Sequence, residues 1–175
     1  CTTRIVTGVG GPQITAIHRC ASALRDQGVP VCADGGISSS GHITKALGAG
    51  AHSVMIGRII AGSDEAPGDT FSHRGKQAKH YRLMGSVSAM RSRGSRERYG
   101  QGDVPEERLV PEGVEGVVPY TGPLEKVIHQ LMGGLRSGMG YVGAETISDL
   151  HKKAEFDRIT QNGLSTSHPH DIEMI

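Results

Sequence analysis

Between Gln13 and Gly28 the apolar residues Ile14, Ile17, Ala21 and Leu24 recur three to four positions apart. That spacing lines one face of an amphipathic helix, and Gly28 stops it. Val29-Pro30-Val31-Cys32-Ala33 follows as a short apolar run ended by Asp34-Gly35-Gly36, which predicts a buried strand. Ser38-Ser39-Ser40 then offers caps for a second helix over His42–Leu47, closed by Gly48-Ala49-Gly50. His52–Ile56 predicts a second buried strand ending at Gly57. The order helix, strand, helix, strand with short connections implies parallel strands joined by crossover helices.

Away from this unit the pattern changes. Residues 1–12 read as a Gly-rich loop ending in Pro12. Past Ala66-Pro67-Gly68 the period weakens, and 72–118 is polar, rich in Gly and Arg, and short of apolar anchors. This stretch is expected outside the core, as a lid or binding loop. Helical spacing returns over Leu124–Leu135 and again over Ile147–Phe156, and the tail from Asn162 has no period. Two parallel strands do not satisfy a sheet by themselves, so the chain reads as part of a larger fold. Asp34-Gly35-Gly36 and Gly57, each at the carboxyl end of a strand, match the phosphate loops after strands seven and eight of a (β/α)8 barrel. About half a barrel is then expected upstream.

Composition narrows the partner. Glycine supplies 26 of 175 residues without a G-X-Y period, which excludes collagen. With 3% aromatics and no Trp, the core must be built from aliphatic side chains. A net charge of +1 without a long block of like charge argues against a nucleic-acid arm and leaves a small polar ligand as the expected partner. Apolar runs such as Ser53–Gly57 and Ile59–Gly62 are far too short to span a membrane. The opening Cys1-Thr2-Thr3-Arg4 is not a signal peptide, so a cytoplasmic location is expected. Three cysteines without CxxC spacing support neither a disulfide framework nor a zinc site. Cys20, on a helix face, and Cys32, in a strand, read as apolar fillers.

Several motifs, taken together and in order, are recognisable. They are Cys1-Thr-Thr-Arg-Ile-Val-Thr-Gly-Val-Gly10, Ala33-Asp-Gly-Gly-Ile37, Val54-Met-Ile-Gly57, Glu65-Ala-Pro-Gly68, Tyr81-Arg-Leu-Met-Gly-Ser86, Arg98-Tyr99, Leu109-Val-Pro-Glu-Gly-Val-Glu-Gly116 and Gly134-Leu-Arg-Ser-Gly-Met-Gly-Tyr141. The chain resembles the inosine-5'-monophosphate dehydrogenases of bacterial type, over nearly all its length but only over the carboxyl-terminal part of such an enzyme. The resemblance implies an α/β fold, the carboxyl-terminal part of a (β/α)8 TIM barrel with an inserted mobile flap. It implies one partial catalytic domain over 1–175, with the flap at about 86–118 and a tail at 162–175. The implied activity is NAD-dependent oxidation of IMP to XMP through a covalent Cys–purine adduct, then hydrolysis assisted by the flap, in a homotetramer that needs neither membrane nor nucleic acid.

Residue by residue, Cys1 resembles the nucleophile, a role that suits a thiolate because it attacks near neutral pH and later leaves readily. Thr3, Arg98 and Tyr99 resemble the groups that handle the hydrolytic water, although an Arg base is awkward given its high pKa. Asp34 resembles the ribose ligand, and Gly36 and Gly57 the positions whose N–H groups hold the 5'-phosphate. Tyr81 resembles a further phosphate donor, and Met84, Gly85 and Glu112 the groups that read the purine edge. Arg58 stands where a small Ser is expected in a Gly-Ser phosphate loop; it either contacts the same phosphate or crowds the loop. A monovalent cation, K+, is implied at the Cys1 loop, with oxygens from Thr166, Ser167 and His168 of a neighbouring subunit's tail. Thr166 stands where the family often has Glu. His168, His170 and Asp171 also have the residue types of a transition-metal site, on a tail whose composition favours a solvated segment. The residues that would hold NAD are expected mostly upstream.

Two other readings compete. GMP reductase shares the Cys-Thr-Thr-Arg loop and the Asp-Gly-Gly strand end, but needs no hydrolytic flap, so Arg98-Tyr99 and Glu112 favour the dehydrogenase. The other is a non-catalytic fragment that requires its upstream half; alone, the chain is expected to be inactive.

Overall fold

A computed structural model describes residues 2–170. Its first layer is the expected repeat: α2 (Gln13–Leu24), β1 (Cys32–Asp34), α3 (Ser40–Gly48) and β2 (Ser53–Met55). The strands pair in parallel with Cys32 opposite Ser53 and Asp34 opposite Met55. Both are shorter than the apolar runs suggest, because Pro30 offers no N–H to a ladder and the Val31 N–H is taken by His52 Nδ1 at 3.0 Å. The helices cover one face, around Ile17, Ala33, Ile43, Ala46, Leu47, Leu131, Leu135 and Leu150.

The strands are not buried on both faces, as the sequence suggests. Ala33 is buried while Cys32 and Asp34 are exposed, and Ser53 and Met55 flank a half-buried Val54. Cys20 and Cys32 are both exposed, so neither is a buried filler.

Helix α6 (Leu124–Val142) runs past Leu135, where the sequence pattern ends. Its glycines are contact points and not breaks. A Cβ on Gly134 would lie 2.1 Å from Ser40 Oγ, and one on Gly138 would lie 2.7 Å from Thr44 Cγ2. This side of α6 is thus bare where α3 presses against it. Helix α7 (Ile147–Lys153) starts at a reciprocal cap in which Thr146 accepts from the Asp149 N–H and Asp149 accepts from the Thr146 N–H. The Thr146 hydroxyl also donates to Asp149 Oδ2 at 2.9 Å, and this bond, with that from the Thr146 N–H, holds the Asp149 carboxyl below its ordinary pKa.

The largest departure lies in 72–118, expected as irregular and outside any core. It contributes most of a three-stranded antiparallel sheet, β3 (Thr70–His73), β4 (Lys76–Arg82) and β5 (Glu115–Pro119), with β4 in the centre. Arg74 and Gly75 form a two-residue hairpin turn with φ of 52° and 77°. Helices α4 (Val87–Met90) and α5 (Arg93–Arg98) and a 3-10 helix (Glu106–Arg108) fill the connection. Ala78, Lys79, Ala89, Met90 and Val118 are buried, so this stretch is not wholly outside the packed interior. Polar strand residues hid it: β4 reads Lys-Gln-Ala-Lys-His-Tyr-Arg, without alternation.

Both ends carry further helix. Thr3–Thr7 forms α1, ended by Gly8 at φ 70°, within the expected loop. Gln161–Thr166 forms α8, capped by Thr160, within the expected aperiodic tail. No helix among the described residues is long and apolar enough to cross a membrane.

Candidate active site

The two sheets meet beside the carboxyl end of β2. The turn after β2 is fastened to the end of β5: the Asp64 N–H donates to the Gly122 carbonyl at 3.0 Å, and the Thr121 N–H donates to the Gly62 carbonyl at 2.9 Å. Tyr120 Oη donates to Asp64 Oδ1 at 2.6 Å, which raises the phenol pKa. Glu65 Oε2 accepts from the Leu124 N–H at 2.8 Å and so caps α6. Between the turn and the sheet lies an open cleft of about 1020 Å³ lined by Gly57, Glu65, Tyr81, Arg82, Glu115 and Gly116 among others. Another concavity, of about 1060 Å³, lies at the opposite ends of the strands, around Gly28, Gly50 and His52, and holds none of the candidate site residues.

Of the candidate phosphate-loop residues, the structure brings Gly57 and Tyr81 together. Asp34, the last residue of β1, is exposed, and its carbonyl accepts from Gln13 Nε2 at 2.8 Å. Gly35 and Gly36 follow at φ of 114° and 76°, a backbone that β-carbon-bearing residues rarely adopt. A Cβ placed on Gly36 meets nothing within 4 Å, so the space beside it is open. The next strand end answers it: a Cβ on Gly57 would sit 3.6 Å from Tyr81 Oη. The phenol of the second sheet therefore points at the loop of the first. Arg58, next in the chain, is exposed.

A second cluster forms around Gly85. The N–H groups of Glu112 and Gly113 both donate to its carbonyl, at 3.0 and 2.9 Å. The Glu112 carbonyl in turn accepts from the Thr2 N–H at 2.9 Å. Gly85 has no room for a side chain, since a Cβ would lie 2.8 Å from Cζ of Tyr99 and 3.1 Å from the Glu112 carbonyl carbon. Ser95 Oγ donates to the Met84 carbonyl, tying α5 to the same strand end. Met84 itself is exposed. Thr3, half-buried, opens α1. Thr2, Met84, Gly85, Tyr99 and Glu112 are thus gathered in one place by backbone contacts. Arg98, at the end of α5, is exposed beside Tyr99. Cys1 and Asp171 lie outside the described residues.

Beside these, Glu115 Oε1 accepts from the Ser88 N–H at 2.8 Å, and this hydrogen bond lowers the Glu115 pKa. Glu115 lines the cleft and Lys79 donates to the carbonyls of two lining residues, Ser63 and Ala66; sequence reasoning missed both. Their signal was a polar strand, which periodicity does not register.

The tail residues are occupied locally. Thr166 Oγ1 donates to the carbonyls of Asn162 and Gly163 at 3.2 and 3.1 Å, and Ser167 Oγ donates to Gly163 at 2.7 Å. His170 Nδ1 lies 2.9 Å from the His168 carbonyl oxygen. Residues 166–168 offer hydroxyl and carbonyl oxygens, the donor type that hard cations take. Among the described residues no three His, Cys, Asp or Glu are grouped to hold a metal ion.

Comparison with known proteins gives the family. The model of the IMP dehydrogenase / GMP reductase domain matches residues 1–170. An inosine-5'-monophosphate dehydrogenase of Aquifex aeolicus is 57% identical over 99% of this chain, which covers 35% of that protein. The protein of the same name from Bacillus subtilis is 53% identical over 99% of this chain, again covering 35% of its length. A crystal structure of a GMP reductase from Trypanosoma brucei, in complex with guanosine 5'-monophosphate, superposes with a TM-score of 0.88 at 43% identity, over 98% of this chain and 34% of that one. The chain spans about a third of the length of these relatives, and it belongs to the IMP dehydrogenase / GMP reductase family.

Proposed function

We propose that this chain is the carboxyl-terminal third of an IMP dehydrogenase, carrying the nucleophile, the nucleotide-binding loops and the hydrolytic flap of a (β/α)8 barrel whose earlier strands lie upstream. The observation that carries this reading is the hydrogen bond from Thr2 to Glu112. It sets the residue after the candidate nucleophile against the loop that resembles the purine-reading segment.

On this reading the Asp34 carboxylate accepts the ribose hydroxyls. The N–H groups at Gly36 and Gly57, with the Tyr81 phenol, hold the 5'-phosphate. The Met84–Gly85 backbone and Glu112 address the purine. The Cys1 thiolate adds to C2 of the hypoxanthine and forms a C–S bond; C2 then gives up its hydride, and NAD+ is the acceptor that the reaction supplies. Water afterwards attacks C2, the thiolate leaves, and a proton is released, so that IMP, NAD+ and water yield XMP, NADH and H+. Arg98 and Tyr99 serve the hydrolytic step, with Tyr99 already seated on Gly85. The residues that bind NAD belong to the upstream part. K+ bound by the Cys1 loop and the 166–168 oxygens of a neighbouring subunit in a homotetramer would steady that loop. A cytoplasmic location fits a soluble nucleotide substrate.

The direction of hydride transfer tests this against the GMP reductase reading. With its upstream segment supplied, the protein should form NADH from IMP and NAD+ and should not oxidise NADPH in the presence of GMP. The opposite pattern would assign it to the reductases. The 175-residue chain alone should form no NADH.

A further inference from the structure

The central strand of the second sheet buries a lysine, and its environment is unusual for a charged group. Lys79 is 3% exposed. Its ammonium donates to the carbonyls of Ser63, at 2.9 Å, and Ala66, at 2.5 Å, the two ends of the turn that follows β2. It has no carboxylate partner: the ion pairs among the described residues are Arg91–Glu106 and Arg93–Glu97. The two acids within the same turn are already engaged, Asp64 with the Tyr120 hydroxyl and Glu65 with the N–H of Leu124.

A buried charge held only by neutral carbonyls is poorly compensated. The backbone bonds from Asp64 and Thr121 already fasten this turn to the sheet, so a lysine is not required merely to hold it. What a lysine adds is charge. Side chains two apart on a strand share a face, so Lys79 and Tyr81 project toward the same side of β4. That side bears the turn at 63–66 and the Gly57 loop, where the Tyr81 phenol points. Successive same-face positions lie roughly 7 Å apart along a strand. Lys79 is itself shielded from water, so its charge is less screened than a surface lysine's and favours an anion in the neighbouring cleft.

Resting on the nucleotide reading above, we propose that Lys79 is a positioning residue for the 5'-phosphate: a buried charge without a carboxylate partner that favours a phosphate dianion beside Gly57 without touching it. The ligand class it selects is a phosphorylated nucleoside rather than the nucleoside itself.

The experiment compares IMP with inosine by calorimetric titration of the protein completed by its upstream segment. In the Lys79→Met variant the dissociation constant for IMP should rise about tenfold or more, on the usual scale for a lost charged partner, while that for inosine stays unchanged. Lys79→Gln keeps an N–H donor for one carbonyl and removes the charge, so it should show the same phosphate-specific loss even if Lys79→Met does not fold. Equal weakening of both ligands in Lys79→Gln, or no weakening of IMP, would reduce Lys79 to a packing residue and overturn the proposal. A wild-type protein that binds neither ligand would instead overturn the nucleotide reading, a result visible before any variant is made.

Discussion

Thr2 and Glu112 are joined by a hydrogen bond of 2.9 Å from the N–H of the first to the carbonyl of the second. Through it the amino-terminal segment is held by the loop that leads into β5. Glu112 is itself bound to Gly85, so any ligand that orders this loop also orders the residue next to Cys1.

Substitution of Cys1 separates binding from chemistry. Serine keeps the size of the side chain but is a far weaker nucleophile without an adjacent base. In the protein completed by its upstream segment, Cys1→Ser should bind IMP within a few-fold of the wild type, measured by calorimetry. Its turnover should fall by roughly a thousandfold or more, measured as NADH formation. Undiminished turnover would remove the covalent route altogether.

On the proposed reading Arg98 and Tyr99 serve the second half of the reaction, so their loss should spare the first. Arg98→Ala should still produce a rapid burst of NADH close to one equivalent per site, followed by a slow steady state as the adduct waits for water. Stopped-flow absorbance resolves the two phases. A variant that loses the burst as well would place Arg98 in hydride transfer or binding instead.

These site assignments differ in how legible they were. Asp34-Gly35-Gly36 and Gly57 could be read directly because glycine and a strand-ending acid mark a loop wherever the apolar period stops. The parallel pairing of Cys32 with Ser53 follows from the same alternation of elements. The second sheet could not be read. Its central strand buries Lys79 and exposes His80, so its polar residues do not mark its outer face. Its hairpin turn is Arg74-Gly75, where Arg at φ 52° is an uncommon choice. Helix α6 was truncated for a related reason: Gly134 and Gly138 weaken helix propensity locally, yet they are what allows α3 to come close. The meeting of Tyr81 with Gly57 depends on that unread sheet, so these candidates were visible as residues and not as a place.

Acid should loosen the join between β5 and α4. Glu115 is solvent-exposed, and its pKa is lowered from 4.5, chiefly by the hydrogen bond from the Ser88 N–H. A carboxyl whose pKa is lower in the folded state stabilises the fold above its unfolded value, and that contribution disappears as pH falls through the folded value. Stability should therefore hold above pH 4.5 and decline below it, and Glu115→Gln should shallow that decline. Asp149 acts in the same sense at α7 from an ordinary value of 3.8, so some decline should persist in the single variant. Thermal melts followed by circular dichroism across this range give the comparison.

The contact between the β2 turn and β5 leaves no space at Gly62. A Cβ there would lie 2.0 Å from the Pro119 carbonyl oxygen and 3.1 Å from its carbon, both backbone atoms that cannot rotate away. Gly62→Ala should therefore push the turn off the sheet, withdraw the carbonyls that Lys79 binds, and cost about 3 kcal/mol, at the upper end for overpacking. Gly133→Ala on α6 is the matched control, because nothing lies within 4 Å of a Cβ at that position. There the gain in helix propensity should stabilise by up to about 1 kcal/mol. Urea unfolding of the two variants should move in opposite directions from the wild type. In Gly62→Ala, IMP affinity should fall along with stability, because Gly57 and Tyr81 are brought together across the same contact. If that variant folded as stably as the wild type and bound IMP as tightly, the turn and the sheet would not be packed as described.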